Sequence, residues 1–332
     1  MASADPVAAI VVPTHDHAAT LDLAVHSALE QTVAEIEVIV VGDGVGDDTR
    51  EVVARLAGDD PRVRFLDFPK GPHHGEIYRG RAVAAASAGI VCYLCDDDLL
   101  LPEHVESMAE LLAEADFAHS QNGHLDTSGS WHHYFADLSS PFCRAWVLQP
   151  GCNVVSLTGT AHTVAAYERL PHGWRTTPPG QWADHYMWQQ FLAEPWVRAI
   201  TSTRVTALQF PSHLDDREAW APEARRGELE AWRSALATPE GRARFEEDVR
   251  RAITARTTEQ WMQREHLEAA LAASEEARAH LAAHADALAQ QRADMEATRT
   301  WRLRNALRRL APLRALARAT AGRSRRRDSS SR

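Results

Sequence analysis

From Ala8 to His119, short apolar runs alternate with stretches of helical periodicity, the pattern of βαβ units around a parallel sheet. Ala8–Val12 is unbroken in apolar residues and reads as a buried strand. Ile36–Val41, Val63–Phe68, Ile90–Leu94 and Phe117–His119 read as further strands. Between them, Ala18–Gln31 sets Leu21, Val25, Ala28 and Leu29 at helical spacing. Asp47–Leu56 enters a helix through acidic residues, Arg81–Ala88 is rich in Ala, and Pro102–Leu112 opens with Pro. From Gln121 to Gly180 the periodicity fades and Gly, Pro, His and Trp become frequent, as in a loop-rich half that shapes a site. Asp184–Leu192 predicts a helix and Trp196–Phe210 one or two strands.

From about Arg225 the pattern is continuously helical. Leu267, Leu281, Leu288 and Met295 follow a seven-residue period with Ser274 at the missing step, a weak and short coiled-coil seam. Trp301–Arg318 sets Leu303, Leu307 and Leu310 on one arginine-flanked face. Pro312 kinks it before Leu313 and Leu316, and Gly322–Arg332 reads as disordered. The chain divides on this reading into residues 1–220, 221–298 and 299–332.

Composition narrows the classes. Of 332 residues, 45% are apolar and 25% charged, which excludes wholesale disorder. No apolar run is long enough to span a bilayer, and Met1–Val12 lacks a basic n-region. Four cysteines are too few for a disulfide scaffold, so a reducing cytoplasm is expected. The net charge of −10 conceals an asymmetry: from Ala297 onward twelve arginines face Asp328 alone, a local +11, leaving −21 on the remainder. An acidic body excludes nucleic acid as the partner, whereas the tail seeks a polyanion.

In an open α/β sheet the site forms where strands end. Pro13-Thr14-His15-Asp16, Gly42-Asp43-Gly44 and Asp96-Asp97-Asp98 end the first, second and fourth strands, so three polar clusters fall on one edge. Gly42, Gly44 and Gly46 lack dinucleotide-loop spacing and follow the wrong strand. Asp43 is placed to accept from a base or ribose, or to form a plain Asx-turn. Three adjacent carboxylates suit Mg²⁺ or Mn²⁺, or else favour the next helix's N-terminus; the triplet alone leaves both open. Cys92-x-x-Cys95 has redox spacing, but Cys92 lies within a strand and reads as core. His73-His74 and His132-His133 read as loop residues. Trp131, Trp174, Trp182 and Trp188 are either core or surfaces on which a sugar ring stacks.

The stretches Ile10–Asp16, Val38–Gly44 and Tyr93–Pro102, in this order and separation, resemble family 2 glycosyltransferases of the GT-A fold over about residues 6–215. The resemblance implies a GT-A-like, Rossmann-type, mostly parallel sheet flanked by helices, here with an α-helical C-terminal extension. It also implies a nucleotide-sugar donor, a divalent cation (Mn²⁺ or Mg²⁺) and inversion at the anomeric carbon. It sets Pro13, Thr14, Asp43, Arg79, Arg81, Asp96 and Asp97 at the nucleotide, and Asp98 and His213 at the metal. Trp182–Trp188 resembles the family's Glu-Asp stretch, making Asp184 the base, with a helix-terminal acid as its plainer role. The chain departs from the pattern at Gly42, Cys95 and Ala183, where the family commonly has Asp. The function expected is sugar transfer to a glycan or lipid-linked hydroxyl, as in polysaccharide biosynthesis. The alternative is a non-catalytic nucleotide-sugar or glycan-binding protein on a degenerate scaffold. The tail is expected on an anionic membrane surface, at its cytoplasmic face, and the C-terminal helices in a homo-oligomer.

Overall fold

The structure is a computed structural model and describes residues 5–129, 131–134, 136–212 and 216–309, the side chains of 122 and 132–134 excepted. In chain order the elements are β1 (Ala8–Thr14), α1 (Ala18–Leu29), β2 (Ile36–Asp43), α2 (Asp47–Asp59), β3 (Val63–Phe68), α3 (Ile77–Ala85), β4 (Ile90–Tyr93), β5 (Leu99–Leu100) and α4 (His104–Leu112). There follow β6 (Phe117–His119), β7 (Asn122–Leu125), β8 (Trp131–Tyr134), α5 (Pro141–Val147), β9 (Thr160–Thr163), α6 (Val164–Glu168), α7 (Ala183–Ala193), β10 (Ala199–Thr201), β11 (Ala207–Leu208), α8 (Pro222–Leu236) and α9 (Pro239–Ala297).

Seven strands form one sheet in the order β10-β6-β9-β4-β1-β2-β3. All neighbouring pairs are parallel except those of β9, which runs antiparallel to both β4 and β6. This is the mostly parallel α/β class expected. Both faces are covered, and the two-residue period of a strand separates them. Ala8, Ile10 and Val12 of β1 and Val38 and Val40 of β2 enter a core with α1 and α4. Ala9, Val11, Ile39 and Val41 enter a second core with Tyr93, Phe117, Trp188 and Phe191.

The chain forms two compact units, Met1–Arg256 and Thr257–Arg332. The first runs past residue 220 because Leu229 of α8 and Phe245 and Val249 of α9 are buried with Leu23, Leu99, Leu208 and Phe210. In the second unit α9 continues helically to Ala297, and its heptad-spaced Leu267, Leu281, Leu288 and Met295 are 52–69% exposed. Residues 299–309 are also helical. Leu310, Pro312, Leu313, Leu316 and the segment Gly322–Arg332 lie outside the described residues, as do the side chains of His132 and His133. Among the described residues no helix is long and apolar enough to cross a membrane.

Two local expectations change. The third helix begins at Ile77 rather than Arg81, because the turn at Gly75 (φ +60°) and Glu76 already starts it. The loop-rich half holds β9 in the centre of the main sheet. Its Thr-Ala-His-Thr sequence carries no apolar run, and its burial comes from the strands on either side.

Candidate active site

Strands β1, β2 and β4 are parallel neighbours, so their C-terminal ends share an edge. Thr14 closes β1. Its side chain is buried, and its hydroxyl has no hydrogen-bond partner among the described residues. Pro13 beside it is half-buried.

Asp43 closes β2 and is buried. Its carboxylate accepts from the Gly71 amide at 2.6 Å and pairs with Lys70, the only lysine in the chain. Lys70 Nζ also donates to the His73 carbonyl at 3.0 Å, so the loop after β3 folds over this acid. Gly75 permits that approach: a Cβ there would overlap the Asp43 carboxyl group. Arg79 of α3 is buried, lies 4.9 Å over the Trp174 ring, and leaves Nε without a hydrogen-bond partner among the described residues. Arg81, two residues on and so about 200° round the helix, is exposed and is not brought to the other site residues.

The turn after β4 holds the acidic triplet, and each carboxylate has its own partner. Asp96 lies 2.9 Å from His17 Nδ1. That hydrogen bond raises His17 to a pKa of about 9, so the ring is a cation at neutral pH. Asp97 accepts from Arg225 Nη2 of α8 at 2.5 Å and from Ser212 Oγ at 3.4 Å. Asp98 accepts from Thr158 Oγ1 at 2.5 Å and from the Phe210 amide at 2.9 Å. Burial, then the neighbouring Asp97 charge, pushes Asp98 up to about 8; burial likewise raises Asp97. Thr158 Oγ1 also accepts from the Cys95 amide at 2.9 Å, which fixes the turn itself.

Asp184 sits in the first turn of α7. It accepts from the His185 amide at 2.7 Å and from Asn153 Nδ2 at 3.4 Å. Burial raises its pKa, opposed by the His185 amide and the positive charge of Arg79, which places Arg79 within electrostatic range. The segment 153–158 links the acids: Asn153 reaches Asp184 and Thr158 reaches Asp98.

His213 lies outside the described residues. The residues that sequence reasoning missed are His17, Lys70, Thr158, Ser212 and Arg225. His17 abuts the Pro13–Asp16 cluster and was within reach of it. Arg225 is 128 positions from Asp97, and no local pattern marks it. Cys92 and Cys95 are free thiols. Burial raises Cys92 to about 12 and Cys95 upward as well, so neither is a redox thiolate at neutral pH. Of the four tryptophans, Trp174 and Trp188 pack edge-on against Tyr93 in the core and Trp131 against Phe245; Trp182 alone is largely exposed, at 58%.

The ligand atoms of His17, Asp96 and Asp97 lie within 4.8 Å of one another, as do those of Cys95, Asp97 and Asp98. Carboxylate oxygens are hard donors of the kind that suit Mg²⁺ or Mn²⁺, and the His17 imidazole could join them only after giving up its proton. The residues present therefore fit the divalent cation that the resemblance implies.

A mostly parallel sheet with polar residues gathered at the ends of β1, β2 and β4 defines a GT-A-like α/β scaffold. Residues 9–153 match the sequence model of glycosyl transferase family 2. The chain is 34% identical over 128 residues to a chondroitin synthase of Pasteurella multocida, covering 38% of this chain and 13% of the relative. It is 30% identical over 117 residues to a GalNAc(5)-diNAcBac-PP-undecaprenol beta-1,3-glucosyltransferase of Campylobacter jejuni, covering 34% and 37%. The chain thus spans well under half the length of these curated relatives. Among solved structures, S. aureus TarS 1-349 in complex with UDP-GlcNAc aligns with a TM-score of 0.49 at 15% identity, covering 64% of this chain and 61% of that one.

Proposed function

We propose that this chain transfers a sugar, with inversion, from a nucleotide-diphosphate donor to a hydroxyl of a glycan or lipid-linked acceptor. The observation that carries the reading is the clustering of buried, separately partnered acids at one sheet edge inside the family-matched segment. Asp43 and the Thr14 hydroxyl would hold the nucleoside. Arg79 would offer its unpartnered Nε–H to the donor's phosphates. Asp96, Asp97 and Asp98, with His17 beside them, would hold a divalent cation, and His213 completes that set in the reading of the sequence. When bound, such an ion neutralises the charge that develops on a diphosphate leaving group.

Asp184 is the base. An acceptor hydroxyl is a weak nucleophile until a carboxylate within hydrogen-bond reach takes its proton. Its oxygen then attacks the anomeric carbon opposite the diphosphate, the bond to the diphosphate breaks, and the configuration inverts. Burial helps here, because a raised carboxylate pKa makes Asp184 a stronger base than a solvated aspartate.

The names of the two relatives support glycan and polyprenyl-linked acceptors as the class to try first. The arginine-rich tail contacts an anionic membrane surface in this reading, with Leu303 and Leu307, both exposed, on its apolar face. The exposed heptad leucines of α9 support self-association.

The test is a thermal-shift screen of UDP-, GDP- and dTDP-sugars with Mn²⁺, followed by transfer to simple glycosides and assignment of the product anomer. Stabilisation by one donor class and an inverted product are expected. A donor that binds without hydrolysis or transfer to any acceptor would favour a binding protein instead.

A further inference from the structure

The triplet is neutralised from within the chain, by His17 at Asp96 and, from outside the family-matched segment, by Arg225 at Asp97. Arg225 belongs to α8, and its guanidinium meets Asp97 at 2.5 Å while donating to Ser212 Oγ at 3.2 Å. Both members of the pair are shielded: the Arg225 side chain is 10% exposed and that of Asp97 14%. Nor is the contact a loose surface pairing. The helix that carries Arg225 is fixed by the turn that follows that residue. Arg226 donates to Asp22 Oδ1 at 2.7 Å, and the fully buried Arg217 forks onto Glu228 at 2.6 and 2.9 Å.

We propose that Arg225 is the chain's own counter-cation for Asp97, and that a divalent cation engages Asp97 only by displacing it. This rests on reading the triplet as a cation site. A guanidinium keeps its charge at every working pH, so it cannot withdraw by losing a proton. Mg²⁺ binds carboxylate oxygen at about 2.1 Å, so an ion on the oxygen that Arg225 holds would lie within about 5 Å of the Arg225 nitrogen. Two positive centres at that separation in a shielded turn repel strongly. Metal affinity in the native chain is therefore low until Arg225 swings away, and α8 is coupled to what occupies the triplet.

The experiment is calorimetric titration of MnCl₂ alone, without nucleotide, into the full chain and into Arg225→Met and Arg225→Lys. Arg225→Met should lower the Mn²⁺ dissociation constant at least tenfold, while Arg225→Lys, which restores the charge, stays within threefold of native. Equal affinities for native and Arg225→Met would overturn the role of Arg225 and leave the cation site standing. No Mn²⁺ binding by either would overturn the cation site itself. Hydrogen exchange on the native chain covers the case in which Arg225→Met does not fold. Saturating Mn²⁺ should speed exchange of the amides of 222–236 at least threefold, and unchanged protection would refute the displacement.

Discussion

Replacing Thr158 by Val tests how the acidic turn is built. Valine nearly matches threonine in shape, so the packing around this fully buried side chain is kept and only the hydroxyl is lost. That hydroxyl is one atom with two duties: it receives the Cys95 amide at 2.9 Å and gives its proton to Asp98 at 2.5 Å. Without it the Cys95 N–H is left without its partner, at about 1–3 kcal/mol for a buried donor. Asp98 keeps only the Phe210 amide and loses a hydrogen bond worth about 0.5–1.5 kcal/mol. Allowing for partial relaxation, the variant should be about 2–4 kcal/mol less stable. The assay is urea unfolding at pH 7.5, read as a lowered midpoint with an unchanged slope. Thr158→Ser, which keeps the oxygen and loses one methyl, should recover more than half of the deficit. Thr158→Val within 0.5 kcal/mol of native (roughly the spread of inert surface substitutions) would show that the hydroxyl does not organise the turn.

Burial lowers His104 to a pKa of about 3 and His162 to about 4, so both stay neutral in the fold while the unfolded chain takes up protons below about 6.5. Their contribution is intact above that pH and is lost as pH falls towards 4. Each costs about 2 kcal/mol at pH 5, and His104→Gln should remove its share of the difference between pH 7 and pH 5 in urea unfolding. Gly75→Ala should cost about 1–3 kcal/mol, because its φ of +60° and the adjoining Asp43 carboxyl both oppose a Cβ. The same variant should weaken donor binding in a thermal-shift titration. Trp188→Ala empties the space between Tyr93, Phe117 and Trp174 and should cost about 3–5 kcal/mol by chemical denaturation. Deleting residues after Thr298 should abolish co-sedimentation with anionic liposomes, and unchanged sedimentation would refute membrane contact by the tail.

The acids were legible because strand ends are. Val63–Phe68 coincides with β3 residue for residue, and the apolar runs before Thr14, Asp43 and Asp96 leave each polar cluster at a strand's C-terminal end. What stayed hidden depends on neighbours distant in the chain. Strand β9 is polar in sequence and central in the sheet because β4 and β6 supply its hydrogen bonds. His162 within it is tolerable only because its Nε2 meets Tyr93 Oη at 2.8 Å, while Nδ1 gives its proton to the Thr163 carbonyl at 3.0 Å. No pattern in the sequence marks Lys70, yet the loop returns it to Asp43. Arg225 marks only the start of a helical pattern in the sequence, yet α8 docks its apolar face through Leu229 and brings that charge to Asp97.

The central claim is that Asp184 removes the acceptor proton at a nucleotide-sugar site it does not itself build. Its direct test is Asp184→Asn, with initial transfer rates and donor dissociation constants measured side by side at saturating Mn²⁺. The account predicts a rate at least about 100-fold lower, the lower bound for losing a general base, with donor affinity within threefold of native. A variant that transfers sugar within tenfold of the native rate would contradict it.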